Sequence, residues 1–475
     1  MKCERLVVKE PPRRGDRQSL GFVTDWNSNS TTYAYDDAGR MTTTTLPSGT
    51  GIVSTYTYDA ADRLTNIAHV KGGSTTVASV DYTLDDVGNR TQRVDQQGTH
   101  TYAYDDLYRL TSVTYPGPST MTYDFDAFGN RTEMDVSGNA TTYAYDDADR
   151  ISTVTPPSPA SAISYTWDDN GNLTDRGSDS FDWDYEDRMV SATVNSVTTT
   201  FAYRGDGLRD SRTVGMSTTT FTWDIAGGLP VVLDDGNQYV YGAGLTAQKQ
   251  SGSWYYYLAD GLGSTMAIVD ASGNSQKSYE YDVYGEVAGG SGSLGNEFDF
   301  AGQQTDGTGL QYLRARYYDP ATGTFLTREP MAKRPTWLGS SSGYANGSPA
   351  RFNDPTGQIP TDACEPDCGS AIYYGDEFGL GADGMWLEQY LDKNGKLNVH
   401  ACGFKTAGGP EITGVECSSG IFDGGFDIFI GEKCSLSFDA KEQNFALACH
   451  RPGSDAAPEN PRHGTCRCAK WLQPG

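Results

Sequence analysis

The sequence predicts an all-β protein built from a long series of β-hairpins, on the strength of three observations. A tyrosine-aspartate dipeptide returns about every twenty residues along roughly the first two hundred. The dipeptide ends short stretches in which Thr and Tyr alternate, as a half-buried strand requires. Gly or Gly-Asn recurs where a hairpin must reverse, at Gly39, Gly88-Asn89, Gly129-Asn130 and Gly171-Asn172. Because one such unit cannot bury its own apolar face, we expect the units to stack on their neighbours.

Four copies carry the dipeptide itself and five carry an altered form. The four are Tyr35-Asp36, Tyr58-Asp59, Tyr104-Asp105 and Tyr145-Asp146. The five are Leu84-Asp85, Phe125-Asp126, Trp167-Asp168, Tyr185-Glu186 and Tyr203-Arg204. We expect the rings to pack against neighbouring hairpins and the carboxylates to fix the turns. These residues are therefore predicted to be scaffold.

Composition and charge narrow the functional class. With 56 glycines, 30 tyrosines and a hydrophobic share of 37%, the chain suits a long sheet with one face in water. A net charge of −26 argues against a nucleic-acid-binding surface on this sheet. The sequence contains no apolar run of membrane-spanning length, so we expect no membrane span. We expect a secreted or cell-surface protein, although no signal peptide stands at the start of this sequence.

Paired acids in the turns, such as Asp36-Asp37 and Asp105-Asp106, are the ligand type that calcium prefers. The twelve-residue pattern of a calcium-binding loop is missing. We therefore predict neither a metal nor a cofactor.

Residues 255–358 carry a second set of motifs. They include Asp260-Gly-Leu-Gly-Ser264, Tyr281-Asp-Val-Tyr-Gly285, Phe300-Ala-Gly-Gln303, Arg316-Tyr-Tyr-Asp319-Pro and Asp354-Pro-Thr-Gly357. Together with the repeats, they resemble the YD or RHS repeats and the Rhs-associated core of bacterial polymorphic toxins, toxin-complex C subunits, wall-associated proteins and teneurins. The resemblance implies a repeat sheet wound into a hollow, cocoon-like shell that the core domain plugs at one end.

Four segments are expected. Residues 1–25 are a leader or a truncated upstream repeat, 26–250 the YD-repeat shell, 251–358 the core domain and 359–475 a small cysteine-rich module. The last boundary lies where the period stops and the cysteines begin. In the resembled family this position carries a variable toxin held as cargo inside the shell.

The resemblance also implies a self-cleaving aspartyl site. Carried onto this chain, its residues are Glu329, Asp354 and Arg316, and the cleaved bond joins Gln358 to Ile359. Two neighbouring acids cannot both ionise cheaply, so the pair can act as general acid and general base. Glu329 stands where the family usually has Asp and Gln358 where it usually has Leu, which is expected to slow cleavage. The alternative is a structural plug, since Asp-Pro-Thr-Gly also makes a good turn.

The expected C-terminal module holds eight of the nine cysteines of the chain. They are Cys364, Cys368, Cys402, Cys417, Cys434, Cys449, Cys466 and Cys468. A dense, even number favours disulfides formed outside the cytoplasm. A zinc site that uses Cys364, Cys368, Cys466, Cys468 and His463 is the alternative, although pairs with two-residue spacing are missing.

His400 and Cys402 are two positions apart, which does not guarantee the contact that a catalytic pair needs. We find no signature of an enzyme in this module. Three functions therefore remain open. The first is a polymorphic-toxin shell with its own C-terminal module as cargo, working with a cognate immunity protein and secretion-system components. The second is a structural or adhesive cell-surface protein, and the third is a self-processing protease with an incidental tail.

Overall fold

The computed structural model describes residues 20–117, 119–226, 228–329, 340–358 and 360–362, together with the backbone of five strands between 385 and 449. The described residues form antiparallel strands, with two short 3-10 turns at Phe300–Gly302 and Tyr344–Gly347. The chain divides into two compact units, residues 1–369 and 370–475. The predicted all-β class is confirmed.

The first sheet is a meander of twenty strands in which each strand pairs with its neighbours in sequence. Its strands are β1 Phe22–Thr24, β2 Ser30–Tyr35, β3 Met41–Thr45, β4 Ile52–Tyr58, β5 Leu64–Lys71, β6 Thr75–Leu84, β7 Arg90–Asp95, β8 Gly98–Tyr104, β9 Leu110–Thr114, β10 Thr120–Phe125, β11 Arg131–Val136, β12 Asn139–Tyr145, β13 Ile151–Thr155, β14 Ile163–Trp167, β15 Leu173–Arg176, β16 Asp179–Trp183, β17 Met189–Val194, β18 Val197–Tyr203, β19 Arg209–Val214 and β20 Ser217–Thr220.

The second sheet has eight strands in sequence order. They are β21 Thr222–Asp224, β22 Val231–Asp234, β23 Gln238–Gly242, β24 Gly244–Gln250, β25 Ser253–Ala259, β26 Thr265–Asp270, β27 Ser275–Tyr281 and β28 Val287–Gly292. A four-stranded sheet and a two-stranded sheet complete the first unit. They comprise β29 Gln304–Thr305, β30 Gln311–Tyr312, β31 Tyr317–Asp319 and β32 Thr324–Phe325, then β33 Phe352–Asn353 and β34 Thr361–Asp362. In the second unit the described backbone forms β35 Met385–Leu391, β36 Leu397–Gly403, β37 Phe426–Ile430, β38 Cys434–Asp439 and β39 Asn444–Cys449.

The aspartate of the repeat motif fixes each turn, as predicted. In the turn after β2, Asp36 Oδ1 accepts the backbone N–H groups of Ala38 and Arg40, both at 3.0 Å, while Oδ2 accepts from Arg40 Nε at 2.7 Å. The same pattern recurs at Asp59, Asp105 and Asp146, and at Asp85, Asp126 and Asp168 an Asn takes the place of the Arg. The carboxylate thus satisfies turn N–H groups that the ladder leaves unpaired.

Where the aromatic residue of the motif is Tyr or Trp, it ties its hairpin to the one before it. Tyr58 Oη donates to Met41 O at 2.8 Å, Tyr145 Oη to Arg131 O at 2.8 Å and Trp167 Nε1 to Ile151 O at 2.7 Å. The strand register shifts at each of these rings, which is the bulge that turns a side chain out of the regular alternation. The expected packing between neighbouring hairpins is therefore confirmed.

One repeat was assigned to the wrong residues. Tyr185, taken as the aromatic of its copy, is fully exposed in the turn after β16. The ring that bonds the previous hairpin is Trp183, whose Nε1 donates to Leu173 O at 2.7 Å, and the turn is fixed by Asp184. Asp184 has Arg188 four residues on as an ion-pair partner at 2.7 Å, whereas Glu186 has Val190 there. The repeat is therefore identified by a partner for the acid four residues further on, and not by the Tyr-Asp dipeptide alone.

The buried face of the first sheet packs against the second sheet and the small core sheets. Leu46 and Ile52 lie with Trp254 and Leu258, while Leu110 and Tyr123 lie with Val283 and Tyr284. Burial of such side chains contributes about 25 cal/mol per Å² of apolar surface. The repeats therefore close their core against residues that follow them in the chain.

Asp299, which caps the 3-10 turn at Phe300–Gly302, makes a pH-dependent contribution to stability. Burial raises the pKa of this carboxyl from 3.8 to about 6, although Thr305, the Phe300 N–H and Gln311 donate to it. The raised pKa means that the folded chain holds a proton that the unfolded chain releases above about pH 4. The contribution is complete below pH 4 and is lost as the pH rises through 6.

We expect the unfolding free energy of wild type, measured against Asp299→Asn, to gain on the order of 2–3 kcal/mol between pH 7 and pH 4. Urea unfolding of both chains at each pH measures it, with Asp224→Asn, at the partly exposed end of β21, as the control. A difference that does not change with pH would contradict the expectation.

Candidate cleavage site

Arg316, Glu329 and Asp354 come from three separate segments and meet in one buried cluster. Arg316 ends the tight turn between β30 and β31, Glu329 follows β32, and Asp354 follows β33. Arg316 Nη2 lies 2.7 Å from Glu329 Oε2 and 3.1 Å from Asp354 Oδ2, so one nitrogen contacts both carboxylates. All three side chains are at most 2% exposed. The structure thus brings together every acid and base assigned to the site from the sequence.

The segment that carries Glu329 is held from two sides. Leu173 N, in the first sheet, donates to Leu326 O at 2.9 Å, and Glu329 N donates to Ser341 O at 2.8 Å. Glu329 stands where the family usually has Asp, yet its extra methylene still leaves the carboxylate in contact with Arg316. The position of the acid is therefore set by the fold of the first unit.

Two carboxylates around one guanidinium give the cluster an unbalanced charge. Burial lowers the pKa of Arg316, and the charges of Glu329 and Asp354 oppose that lowering. Its guanidinium also lies 3.4 Å from the centre of the Phe325 ring. With both carboxylates ionised, this buried cluster carries one negative charge more than positive charge, and a net charge is costly away from water. Two adjacent carboxyl groups are the residue types that general acid–base chemistry uses.

The same cluster holds the peptide unit between Gly357 and Gln358 at both ends. Arg316 Nε donates to Gly357 O, and Gln358 N donates to Asp354 Oδ1 at 3.0 Å. Gln358 itself is exposed, and Ile359 lies outside the described residues. The backbone leading to the predicted cleavage bond is therefore in direct contact with the predicted catalytic groups.

Gly357 is required by close packing as well as by its backbone angle. Its φ is +70°, and a Cβ there would lie 2.6 Å from Leu313 O and 3.0 Å from Arg316 N. Both neighbours are backbone atoms that cannot rotate away.

We expect Gly357→Ala to displace the Asp-Pro-Thr-Gly turn and to lower the yield of any product cleaved after it by about 10²-fold, since small misplacements have costs of that order. Timed gels of the purified full chain measure it. Gly39→Ala, at a positive φ but with open space around it, is the control for backbone strain alone. Equal cleavage in Gly357→Ala and wild type would contradict the packing argument.

The remaining predicted residues lie mostly beyond the described part. Cys402, Cys434 and Cys449 fall in strands of which only the backbone is described, and the other five cysteines fall outside the described residues. Within the described part, no group of three His, Cys, Asp or Glu is arranged to hold a metal, and no helix is long and apolar enough to cross a membrane. Sequence reasoning missed Arg314, which touches the turn before Gln358. Its position two residues before Arg316, in the same tight turn, was the available signal.

A stacked series of hairpins, closed against a core that presents an Arg–Glu–Asp cluster, defines a YD-repeat shell protein. The teneurin YD-shell family model matches residues 83–337, and the RHS-repeat model matches residues 19–50. Because the first match covers more than half of the 475 residues, the chain belongs to the teneurin YD-shell family. The predicted all-β repeat fold and the family are confirmed, whereas the cysteine-rich C-terminal module stays a prediction.

Two curated relatives are bacterial nucleases. The chain is 32% identical over 211 residues to the tRNA3(Ser)-specific nuclease WapA of Bacillus spizizenii and, over the same length, to the tRNA nuclease WapA of Bacillus subtilis. Each match covers 41% of this chain and 9% of the relative. The chain thus matches less than a tenth of the length of these relatives.

Solved structures with the same fold include toxin complexes. A crystal structure of TcdB2–TccC3 is 19% identical, has a TM-score of 0.53, and the match covers 72% of this chain and 20% of that one. The Photorhabdus luminescens Tc holotoxin pore is also 19% identical, with a TM-score of 0.52 and coverage of 72% and 21%. At this identity the similarity establishes the fold.

Proposed function

We propose that this chain is the shell of a bacterial polymorphic toxin, which encloses a C-terminal effector and releases it by intramolecular cleavage between Gln358 and Ile359. The observation that carries the proposal is the buried contact of Arg316 with both Glu329 and Asp354, directly beside the backbone of Gly357 and Gln358. The match to WapA nucleases supports the toxin class, and the toxin-complex structures share the fold. On this proposal the cargo is residues 359–475.

The proposed reaction is a hydrolysis. One carboxylate accepts a proton from a water molecule, whose oxygen bonds to the carbonyl carbon of Gln358. The other carboxyl group gives its proton to the nitrogen of Ile359 as the C–N bond breaks. The products are a new carboxylate at Gln358 and a new amine at Ile359. Arg316 fixes the preceding carbonyl and balances one negative charge, so that the substrate backbone and the two acids keep one geometry.

The first test is the fate of the purified full chain. We expect a gel to resolve two fragments, and the mass of the smaller one to begin at Ile359. A fragment that begins at Gln358 would move the cleaved bond to the peptide unit that the cluster already holds. A chain that stays intact under all conditions from pH 4 to pH 8 would remove the cleavage step.

The second test concerns the cargo. We expect residues 359–475, expressed in the cytoplasm or the periplasm of a bacterium, to stop growth, and co-expression of a cognate immunity protein to restore it. Residues 20–358, expressed at the same level, are the control. A tail that is harmless in both compartments, together with labelling of the chain on intact cells, would favour a structural or adhesive surface protein instead.

A further inference from the structure

Arg314 contacts three segments that are far apart in sequence. Its Nε donates to Pro230 O at 2.8 Å, in the loop between β21 and β22. Its Nη1 donates to Gln303 Oε1 at 2.5 Å, just after the first 3-10 turn, and to Pro355 O at 2.7 Å. One side chain therefore joins the second sheet, the core and the Asp-Pro-Thr-Gly turn.

The turn before Gln358 is held through three successive carbonyl groups by three successive residues. Arg314 binds Pro355 O, Ala315 N donates to Thr356 O at 3.2 Å, and Arg316 Nε donates to Gly357 O. Such pairing fixes the turn along its length. Arg316 has a place in the proposed chemistry, whereas the contact of Arg314 with this turn is to the backbone that presents the bond.

The backbone of Arg314 is itself in an unfavourable conformation. Its φ is +66°, a left-handed region that costs a residue other than glycine about 1 kcal/mol. Gln303, its partner, is held in turn, because Gln303 Nε2 donates to Ala301 O at 2.9 Å and so presents Oε1 to Arg314. A costly backbone angle that persists under several contacts is typical of a site where geometry has a function.

We infer that Arg314 is a positioning residue for the cleavage reaction, and that it makes cleavage depend on the docking of the second sheet onto the core. The inference rests on the proposed function. Until the Pro230 loop and Gln303 are in place, Arg314 lacks two of its three acceptors and the turn is held only from its other end. The chain would then cut itself only after this part of the shell has assembled.

The test compares Arg314→Met, Arg314→Lys and Gln303→Met with wild type, all as full chains. We expect Arg314→Met to slow cleavage about 10²-fold, since a shift of about 1 Å has a cost of that order. Arg314→Lys should recover part of the rate, because a single ammonium cannot reproduce the fork that reaches several acceptors. Gln303→Met should slow cleavage about 10-fold alone and add less than about twofold to Arg314→Met, since residues that act through one another are not additive. Arg150→Met, in a repeat turn, is the matched control and should cleave at the wild-type rate.

Hydrogen exchange separates this inference from the proposed function. In wild type and in Arg314→Met, we would follow the amides of Ala315 and Gln358, with those of β5 and β6 as reporters of an intact sheet. We expect at least about a tenfold faster exchange at the first two and no change at the others, whether or not the chain cleaves. A wild-type chain that never cleaves overturns the proposed function. Hydrogen exchange then still tests whether Arg314 holds the turn. Unchanged exchange at Ala315 and Gln358 overturns that role.

Discussion

Replacing Asp354 with Asn is expected to leave the full-length chain uncut, and Glu329→Gln is expected to do the same. Each substitution keeps the size of the side chain but removes one of the two groups that exchange protons with water and the leaving nitrogen in the proposed reaction. General acid–base catalysis contributes about 10²–10⁴-fold, so cleavage that is complete within an hour in wild type should be undetectable over that time. Intact mass and timed gels of the purified chain measure the effect.

The control for these variants is Asp59→Asn. Asp59 fixes the repeat turn between β4 and β5 by accepting the N–H groups of Ala61 and Arg63. It should cleave at the wild-type rate. If Asp354→Asn or Glu329→Gln fragments as fast as Asp59→Asn, the two acids have no part in cleavage and the cluster is a structural plug.

The second large effect concerns stability. Arg209 and Asp306 form an ion pair in which both side chains are 0% exposed, and Arg212 Nη1 also lies 2.5 Å from Asp306. Arg209→Met leaves a buried carboxylate with one of its two cations, and breaking a buried pair by removing one partner costs about 3–5 kcal/mol. Urea unfolding should therefore show a midpoint far below that of wild type, with an unchanged slope.

Two comparisons check the cause of this loss. Arg204→Met removes an arginine from the half-exposed pair with Asp206 and should change the unfolding free energy by less than about 1 kcal/mol. The double variant Arg209→Met/Asp306→Leu should be more stable than Arg209→Met alone, because no buried charge is then left without its partner. A double variant less stable than the single one would mean that the contact of Asp306 with Arg212 outweighs the cost of the isolated charge.

This pair also explains how repeats and core depend on each other. Arg209 begins β19 of the first sheet, while Asp306 follows β29 of the core, and Arg209 also donates to Gln304 at 2.7 Å. Arg176, in β15, pairs with Asp319 at 2.7 Å in the same manner. The repeat sheet and the core are therefore joined by ion pairs as well as by apolar contacts. Loss of either partner of a pair is expected to destabilise both.

Local chemistry made the hairpins predictable. Asp36, Asp59 and Asp146 each bind the N–H groups two and four residues ahead, which are interactions within five residues of chain. The alternation of exposed Thr32 with buried Thr31 and Tyr33 follows from the period of a strand. Tyr185-Glu186 was taken for a repeat because it resembles the dipeptide. The arginine that completes the turn is Arg188, four residues after Asp184, so Asp184 is the acid of this repeat.

The candidate site was predictable only in part. The resemblance to a known core pointed to Arg316, Glu329 and Asp354, but nothing in their spacing says that one guanidinium nitrogen touches both acids. Arg314 escaped notice because its three acceptors, Pro230 O, Gln303 Oε1 and Pro355 O, come from distant segments and two of them are backbone atoms. Every residue has a backbone carbonyl, so the sequence does not show which of them accepts a hydrogen bond.

The all-β class, the hairpin period and most of the residues that fix the turns can be predicted from the sequence, because these depend on contacts between residues a few positions apart. The folded chain is needed to see that Arg316 is shared by Glu329 and Asp354, that Arg209 is buried against Asp306, and that Arg314 holds the turn before Gln358. Those contacts join residues that are far apart in the chain. They form when separate sheets pack together and exclude water, because a buried charge without a partner is costly.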